Sequence, residues 1–210
     1  MTRRTLTALV AYAALAGLGW AWAWAAGRTP WDVPAWLDLA PSTSWVLSVV
    51  LGLASTALFV GGSRLAVRHA EWARRMHRGF RDVLGPDLTD REIVVFAGAS
   101  AIAEELFFRG AMQPTLGLPL TALVFGLVRV PPDRRFLPWT LVAVVGGLAF
   151  GAVVALTGNL VGAILAHALV NYLNLQFIRA HDLDAPIAAV PRAPSLVGGR
   201  ARATRGLDAR

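Results

Sequence analysis

Three charged side chains, Glu104, Glu105 and Arg109, lie within one long apolar stretch of the sequence. A charged side chain at the centre of a membrane helix costs roughly 2.5 to 3.5 kcal/mol on the insertion scale, so such groups face a protein or water-lined interior. Residues four apart share a helix face, which lets Glu105 and Arg109 form an internal ion pair. Glu104 is turned about 100° away on the helix and needs a different partner.

A later apolar stretch carries His167 and Asn171, which are also four apart. Small neighbours that allow close helix packing surround them: Ala163, Ala166 and Ala168. A lone histidine in a membrane helix commonly bonds a backbone carbonyl. Two polar residues in register, in a chain with an acid that lacks a partner, instead favour one site shared with Glu104.

The residue types in this set are suited to hydrolysis by water. Desolvation in an apolar pocket makes a carboxylate a better proton acceptor, so it can serve as a general base. Imidazole and carboxamide groups can donate hydrogen bonds to the oxyanion that forms when water attacks an amide. The hydroxyls of Ser63 and Ser100 occur without a recognisable nucleophile motif.

The composition predicts an integral membrane protein. Of the 210 residues, 56% are hydrophobic and 16% charged, and the apolar residues come in long blocks. The absence of cysteine excludes disulfides, thiol catalysis and metal sites with cysteine ligands. The net charge of +7 comes from arginine alone and indicates membrane orientation rather than nucleic-acid binding.

We predict an all-α, polytopic membrane helical bundle with about six transmembrane helices around a polar intramembrane cavity. The first apolar run could also be a cleaved signal peptide, but its length and tryptophans favour a retained helix. Residues 1–180 are expected to form the membrane domain, with a core at about 90–178, and 181–210 a basic, disordered cytoplasmic tail. The predicted spans are 5–26, 44–67, 92–112, 120–130, 136–156 and 160–178.

Arginines are concentrated on one predicted side of the membrane. With both termini in the cytoplasm, only Arg28 falls outside, which supports six spans in a bacterial-type inner membrane. Segment 68–91, in which arginines alternate with Trp72, Met76 and Phe80, predicts a basic amphipathic helix on the lipid surface. Membrane lipids are therefore expected partners, and nucleic acid is not.

The two motifs resemble the CPBP family of intramembrane proteases, which includes the CAAX prenyl endopeptidases of the Rce1 type and bacteriocin-processing and immunity proteins. The family pattern is Glu-Glu-x-x-x-Arg, then Phe-x-x-x-His, then His-x-x-x-Asn or Asp. The first motif is matched from Glu104 to Arg109, and the third from His167 to Asn171. The resemblance covers about residues 90–178.

The resemblance implies a glutamate-type endopeptidase that cleaves a membrane-associated, possibly lipidated peptide or protein. It gives Glu104 the role of base, His167 and Asn171 that of oxyanion stabilisers, and Glu105 with Arg109 that of a supporting pair. No cofactor is expected. Zinc is the alternative, since one histidine and two glutamates could bind it, but the pairing of Glu105 with Arg109 would occupy one carboxylate.

The second motif departs from the family pattern, because Phe125 is followed four residues later by Arg129 where the family has histidine. Arginine stays charged and cannot accept a proton. If Arg129 points at Glu104, it makes that carboxylate a poorer base; if it snorkels to the surface, the site lacks one polar group. A catalytically impaired pseudoenzyme acting as a membrane binding or accessory protein is therefore the alternative. A transporter or proton relay is disfavoured by the absence of internal repeats.

Overall fold

The computed structural model describes residues 2–84, 88–129 and 136–181, and the regular secondary structure of this part of the chain is all helical. The prediction of an all-α bundle is confirmed. The helices are α1 (Arg3–Ala25), α2 (Pro41–His69), α3 (Glu71–Leu84), α4 (Asp90–Glu105), α5 (Gln113–Leu116), α6 (Leu118–Leu127), α7 (Leu137–Thr157) and α8 (Val161–Ala180), with a π-helical segment, Leu106–Met112, between α4 and α5.

Four helices, α1, α2, α7 and α8, are long and apolar enough to cross a membrane. They correspond to the first, second, fifth and sixth predicted spans, with ends that differ by at most three residues. The fourth predicted span is the ten-residue helix α6, which is too short to cross a bilayer in a straight path. The total of six spans stays a prediction. The predicted tail lies outside the described residues except for His181.

The third predicted span is a continuous helical segment that changes type in the middle. It starts at a capping box, in which the Thr89 hydroxyl accepts from the Glu92 backbone and the Glu92 carboxylate accepts from the Thr89 backbone. Glu92 also accepts hydrogen bonds from Thr2, Arg4 and Thr5, which fixes the start of α1 against the start of α4. The α-helical geometry ends at Glu105, within the acidic motif.

Small residues allow the helices that carry the site to approach closely. On the α2–α8 contact, a Cβ atom at Gly52 would overlap the backbone of Gly162, and the Gly162 amide donates to Ser48 Oγ at 3.0 Å. On the α6–α7 contact, a Cβ atom at Gly147 would lie 3.0 Å from the backbone of Ala122. Helices in lipid usually associate through small residues, because these let the two backbones approach closely.

Helix α3 is strongly amphipathic, as the arginine-rich segment predicted. Its apolar side, which includes Ala73, Met76 and Gly79, packs against α2, α7 and α8. Phe80 contacts Phe136 and Trp139 at centroid distances of 5.0 and 5.3 Å. The apolar side of α3 therefore covers the bundle, which the sequence did not indicate.

Candidate active site

The first part of the site is a buried series of three interacting side chains on α4, the π-helical segment and α8. Arg109 Nη1 donates to Glu105 Oε1 at 3.1 Å, as the four-residue spacing predicted. His167 Nδ1, on α8, lies 2.8 Å from the same carboxylate oxygen. The side chains of Glu105 and Arg109 are 0% and 1% exposed, so neither charge reaches solvent. Because the carboxylate only accepts, Nδ1 carries the proton and Nε2 is left free.

Glu104 lies on the opposite side of His167 and forms a separate ion pair. Its Oε2 accepts a hydrogen bond from Arg129 Nη2, and it lies 3.8 Å from His167 Nε2. Of the two arrangements considered for Arg129, the structure has the one that points at the acid. Glu104, for which the sequence suggested a partner on the sixth span, therefore pairs with Arg129 and lies near His167.

The ring of Phe125 lies between the two guanidinium groups of the site. Arg129 Cζ is 3.7 Å from the ring centroid, and Arg109 Cζ is 4.1 Å from it. Arg129 Nη1 also donates to the Phe125 carbonyl, and Thr140 of α7 donates to the Arg129 carbonyl at 3.2 Å. These contacts fix the Arg129 side chain beside Glu104 and prevent it from extending to the surface.

Asn171 lies one turn after His167 and does not contact Glu104. Its Nδ2 donates to Ser100 Oγ at 3.1 Å, and Ser100 donates in turn to the Ala97 carbonyl at 3.3 Å. Tyr12 of α1 lies beside Ser100 and within reach of the Glu104 charge. The carboxamide therefore belongs to a second polar row, one helical turn away from the carboxylates.

The π-helical segment connects the acidic motif to the opposite end of the bundle. Arg28, in the loop after α1, donates to the carbonyls of Gly110 and Ala111 at 2.5 and 2.7 Å. Gln113 donates to the Gly151 carbonyl of α7 at 2.9 Å. These contacts hold the C-terminal end of the segment and the residue that follows it, and π-helical turns occur frequently at functional sites.

A cavity of about 730 Å3 reaches the site from the side of α1, α2, α3, α7 and α8. Most of its wall is apolar, and polar groups lie at Ser63 and His77 and, next to the site, at Tyr12, Ser100 and Asn171. Such a volume can hold a hydrocarbon chain or an apolar peptide segment. The cavity is therefore largely apolar, and one of its polar parts lies next to the site.

The residues present do not fit a zinc ion. In the described part of the chain, no three His, Asp or Glu side chains are arranged to hold a metal. Glu105 is occupied by Arg109 and His167, and Glu104 is occupied by Arg129. A cation placed between the carboxylates would have to displace two guanidinium groups.

The structure brings four of the predicted site residues together: Glu104, Glu105, Arg109 and His167. Glu105 contacts both Arg109 and His167, and His167 lies 3.8 Å from Glu104. Asn171 is joined to the group through its place on α8 and through its hydrogen bond to Ser100, which lies on α4 one turn before Glu104. The sequence did not identify Ser100 and Tyr12 as neighbours of this set, because their contacts depend on how α1, α4 and α8 face one another. The only feature of the sequence that placed Arg129 near the site was its position in the second motif.

The fold and site define the chain as a polytopic helical membrane protein with buried acidic, basic and imidazole groups. Its four long apolar helices and its exposed leucines and valines are typical of a surface in contact with lipid. Residues 91–173 match the family model described as type II CAAX prenyl endopeptidase Rce1-like. The resemblance predicted from the motifs is confirmed, and the matched segment contains both motifs. No curated protein and no solved structure matches the chain.

Proposed function

We propose that the protein is an intramembrane endopeptidase that hydrolyses a peptide bond with a water molecule activated by Glu104. The observation that carries the proposal is the hydrogen bond from His167 to Glu105, which leaves Nε2 facing Glu104 Oε2 at 3.8 Å. A water molecule placed beside this gap can contact both groups. Glu104 acts as the base once its ion pair with Arg129 has opened, and no metal takes part in the reaction.

The reaction needs only the groups already described. Glu104 takes a proton from water as the oxygen attacks the carbonyl carbon, which gives a tetrahedral oxyanion. Glu105 orients the His167 ring through Nδ1, which directs Nε2 towards the reaction centre beside the oxyanion. Asn171 has a second Nδ2 proton to donate. The C–N bond then breaks, and Glu104 returns its proton to the leaving nitrogen.

The surroundings of the site support an apolar, membrane-associated substrate. The cavity beside Ser100 and Asn171 is large enough for an apolar peptide segment or an attached lipid chain. The arginine distribution supports placement in a bacterial-type inner membrane with both termini in the cytoplasm. Arg28, the one arginine expected outside, lies at the same end of the bundle as Gly110.

A second function is favoured by one observation, the ion pair between Glu104 and Arg129. A base that is permanently paired with a guanidinium cannot readily accept a proton. Under this alternative the chain is a pseudoenzyme that uses the fold and cavity for binding.

The test is cleavage by the purified protein in liposomes, with a broad panel of membrane-associated peptides and detection by mass spectrometry. We expect Glu104→Gln to abolish cleavage, because the amide cannot accept the water proton, while the variant stays folded in detergent with the helical content of the wild type. Glu71→Gln is the matched control, since Glu71 lies on α3 with its side chain 50% exposed and paired with Arg78.

Cleavage that persists in Glu104→Gln contradicts the assignment of the base. If wild type and Arg129→His are both inactive on the whole panel while the panel peptides still bind, the pseudoenzyme function is supported instead. The Arg129→His variant restores the family pattern at this position and so separates the two functions.

A further inference from the structure

We infer that the protein has a second binding site, which holds an anionic phospholipid with its phosphate on Arg64 and one acyl chain in the cavity. The polar residues of this site are Ser63 and Arg64 of α2 and His77 of α3, and none of them takes part in the proposed hydrolysis. The inference therefore goes beyond the proposed function and does not depend on it.

Arg64 is a half-buried cation without an acidic partner in the described part of the chain. Its Nη1 donates to Asn174 Oδ1 and its Nη2 to the Leu173 carbonyl, both at 2.8 Å. Its Cζ lies 3.8 Å from the centroid of the Phe177 ring. Neutral groups of α8 replace only part of the hydration that a charge loses on burial, and an opposite charge compensates the rest. Arg64 therefore offers a place to an anion from outside the chain.

The Arg64 guanidinium keeps donors for such an anion. A guanidinium carries five N–H groups, and the bonds to Asn174 and Leu173 use one on each terminal nitrogen. Nε–H and one N–H on each terminal nitrogen are left, and no described residue accepts from them. Neighbouring N–H groups of a guanidinium bind two phosphate oxygens side by side. Because α8 already holds the group, little side-chain freedom is lost when a phosphate binds.

Ser63 and His77 form a polar part of the cavity wall near Arg64. His77 Nδ1 lies 2.8 Å from the Ala73 carbonyl and Nε2 lies 3.3 Å from Ser63 Oγ. Because the carbonyl only accepts, Nδ1 carries the proton and the Ser63 hydroxyl donates to Nε2. The Ser63 oxygen keeps its capacity to accept a hydrogen bond from a lipid headgroup. Phosphatidylglycerol fits this pattern, since it combines a singly charged phosphate with hydroxyl groups.

The rest of the cavity is suited to one acyl chain. Its volume is about 730 Å3 and its walls are largely apolar. Three of the lining residues on α2 and α7 stay largely exposed: Leu58, Leu141 and Val145. Because such apolar surface faces lipid in a membrane, the cavity is open sideways to the chains of the bilayer. A phospholipid can therefore place one chain in the cavity and leave the other in the bilayer.

The test is native mass spectrometry of the purified protein, titrated with phosphatidylglycerol, with phosphatidylcholine of the same acyl chains and with oleate. Wild type is expected to bind one phosphatidylglycerol with a Kd at least about tenfold lower than that for phosphatidylcholine, whose choline adds a second cation beside Arg64. Arg64→Gln should remove this preference, and Arg64→Lys should retain part of it because it keeps the charge. Arg68→Gln, at an exposed position one turn later on α2, is the control and should leave the preference unchanged.

Two adjacent glycines of α2 test the position of the acyl chain without changing any charge. Gly62 lines the cavity and Gly61 does not, and neither has an atom within 4 Å of its Cβ position. Gly62→Leu should fill part of the cavity and raise the Kd for phosphatidylglycerol by about tenfold. Gly61→Leu should bind like wild type. This pair decides the inference even if Arg64→Gln does not fold.

Three results would overturn the inference. Equal binding of both phospholipids by wild type, or a preference that persists in Arg64→Gln, contradicts the role of Arg64. Equal losses in Gly61→Leu and Gly62→Leu contradict the placement of the chain. Binding of oleate that depends on Arg64, without binding of phosphatidylglycerol, contradicts the assignment to a phospholipid. None of these measurements involves cleavage, so their outcome is independent of the endopeptidase function.

Discussion

Arg129 pairs with Glu104 although the two residues are 25 positions apart in the sequence and lie on different elements. The guanidinium stacks on Phe125 at 3.7 Å and bonds the carbonyl of the same residue. The proposed base is thus paired, while His167 keeps one ring nitrogen free next to it. This relationship determines how the site is held together.

A double-mutant cycle should detect the coupling between these two residues. We expect Glu104→Gln and Arg129→Gln each to lower the free energy of unfolding, because each leaves a poorly solvated partner charge. The double variant should lose less than the sum of the two, with an interaction energy of about 1–3 kcal/mol. Chemical denaturation in detergent measures all four free energies. Additive losses would show that the ion pair contributes nothing to stability.

Removing one partner of the fully buried pair, Glu105 and Arg109, should lower stability more than removing one partner of a surface pair. Arg109→Met is expected to lower the free energy of unfolding by about 3–5 kcal/mol, because it leaves the Glu105 charge buried with only His167 as a partner. The double variant Glu105→Gln/Arg109→Met should lose less of the free energy of unfolding than Arg109→Met alone. Arg78→Gln, in a pair with the half-exposed Glu71, is the control and should cost within about 1 kcal/mol. Similar losses in Arg109→Met and Arg78→Gln would contradict the burial argument.

Two glycines on the same helix test the close contact between α2 and α8. A Cβ atom at Gly52 meets the backbone of Gly162, so Gly52→Ala should lower stability by about 1–3 kcal/mol. Gly61 has open space around its Cβ position, so Gly61→Ala should leave stability unchanged or raise it by up to about 1 kcal/mol. Thermal unfolding in detergent distinguishes them. The same effect in both variants would argue against the packing.

The stability of the contact between α2 and α3 should depend on pH through His77. Burial lowers the pKa of His77 below its ordinary value of 6.5, and the nearby charge of Arg64 acts in the same direction. The unfolded chain therefore binds a proton at a higher pH than the folded protein does. As the pH falls below about 6.5, the free energy of unfolding should decrease until the folded pKa is reached.

The measurement for His77 is the unfolding temperature between pH 8 and pH 5. His77→Gln should show a shallower decrease below about pH 6.5 than wild type does, because the glutamine does not titrate. His69→Gln, at the exposed end of α2, is the matched control and should follow the wild-type curve. Identical curves for wild type and His77→Gln would contradict the assignment.

The sequence by itself determined the helices and most of the charged residues that meet inside the bundle. Long apolar runs define membrane helices almost without reference to tertiary contacts, because the hydrocarbon core forces the backbone to satisfy its own hydrogen bonds. The pairing of Glu105 with Arg109 also followed from local geometry, since both lie on one helix face. The motifs alone indicated the resemblance to the Rce1-like family model that residues 91–173 match.

Only the tertiary structure decided which partner each remaining group has. His167 bonds Glu105, Arg129 bonds Glu104 and Asn171 bonds Ser100 because of how α4, α6 and α8 are rotated about their axes. That rotation depends on packing between distant segments, such as the contact of Gly52 with Gly162, and no local pattern specifies it. The π-helical segment after Glu105 has the same origin, since contacts from Arg28 and Gly151 on either side hold it.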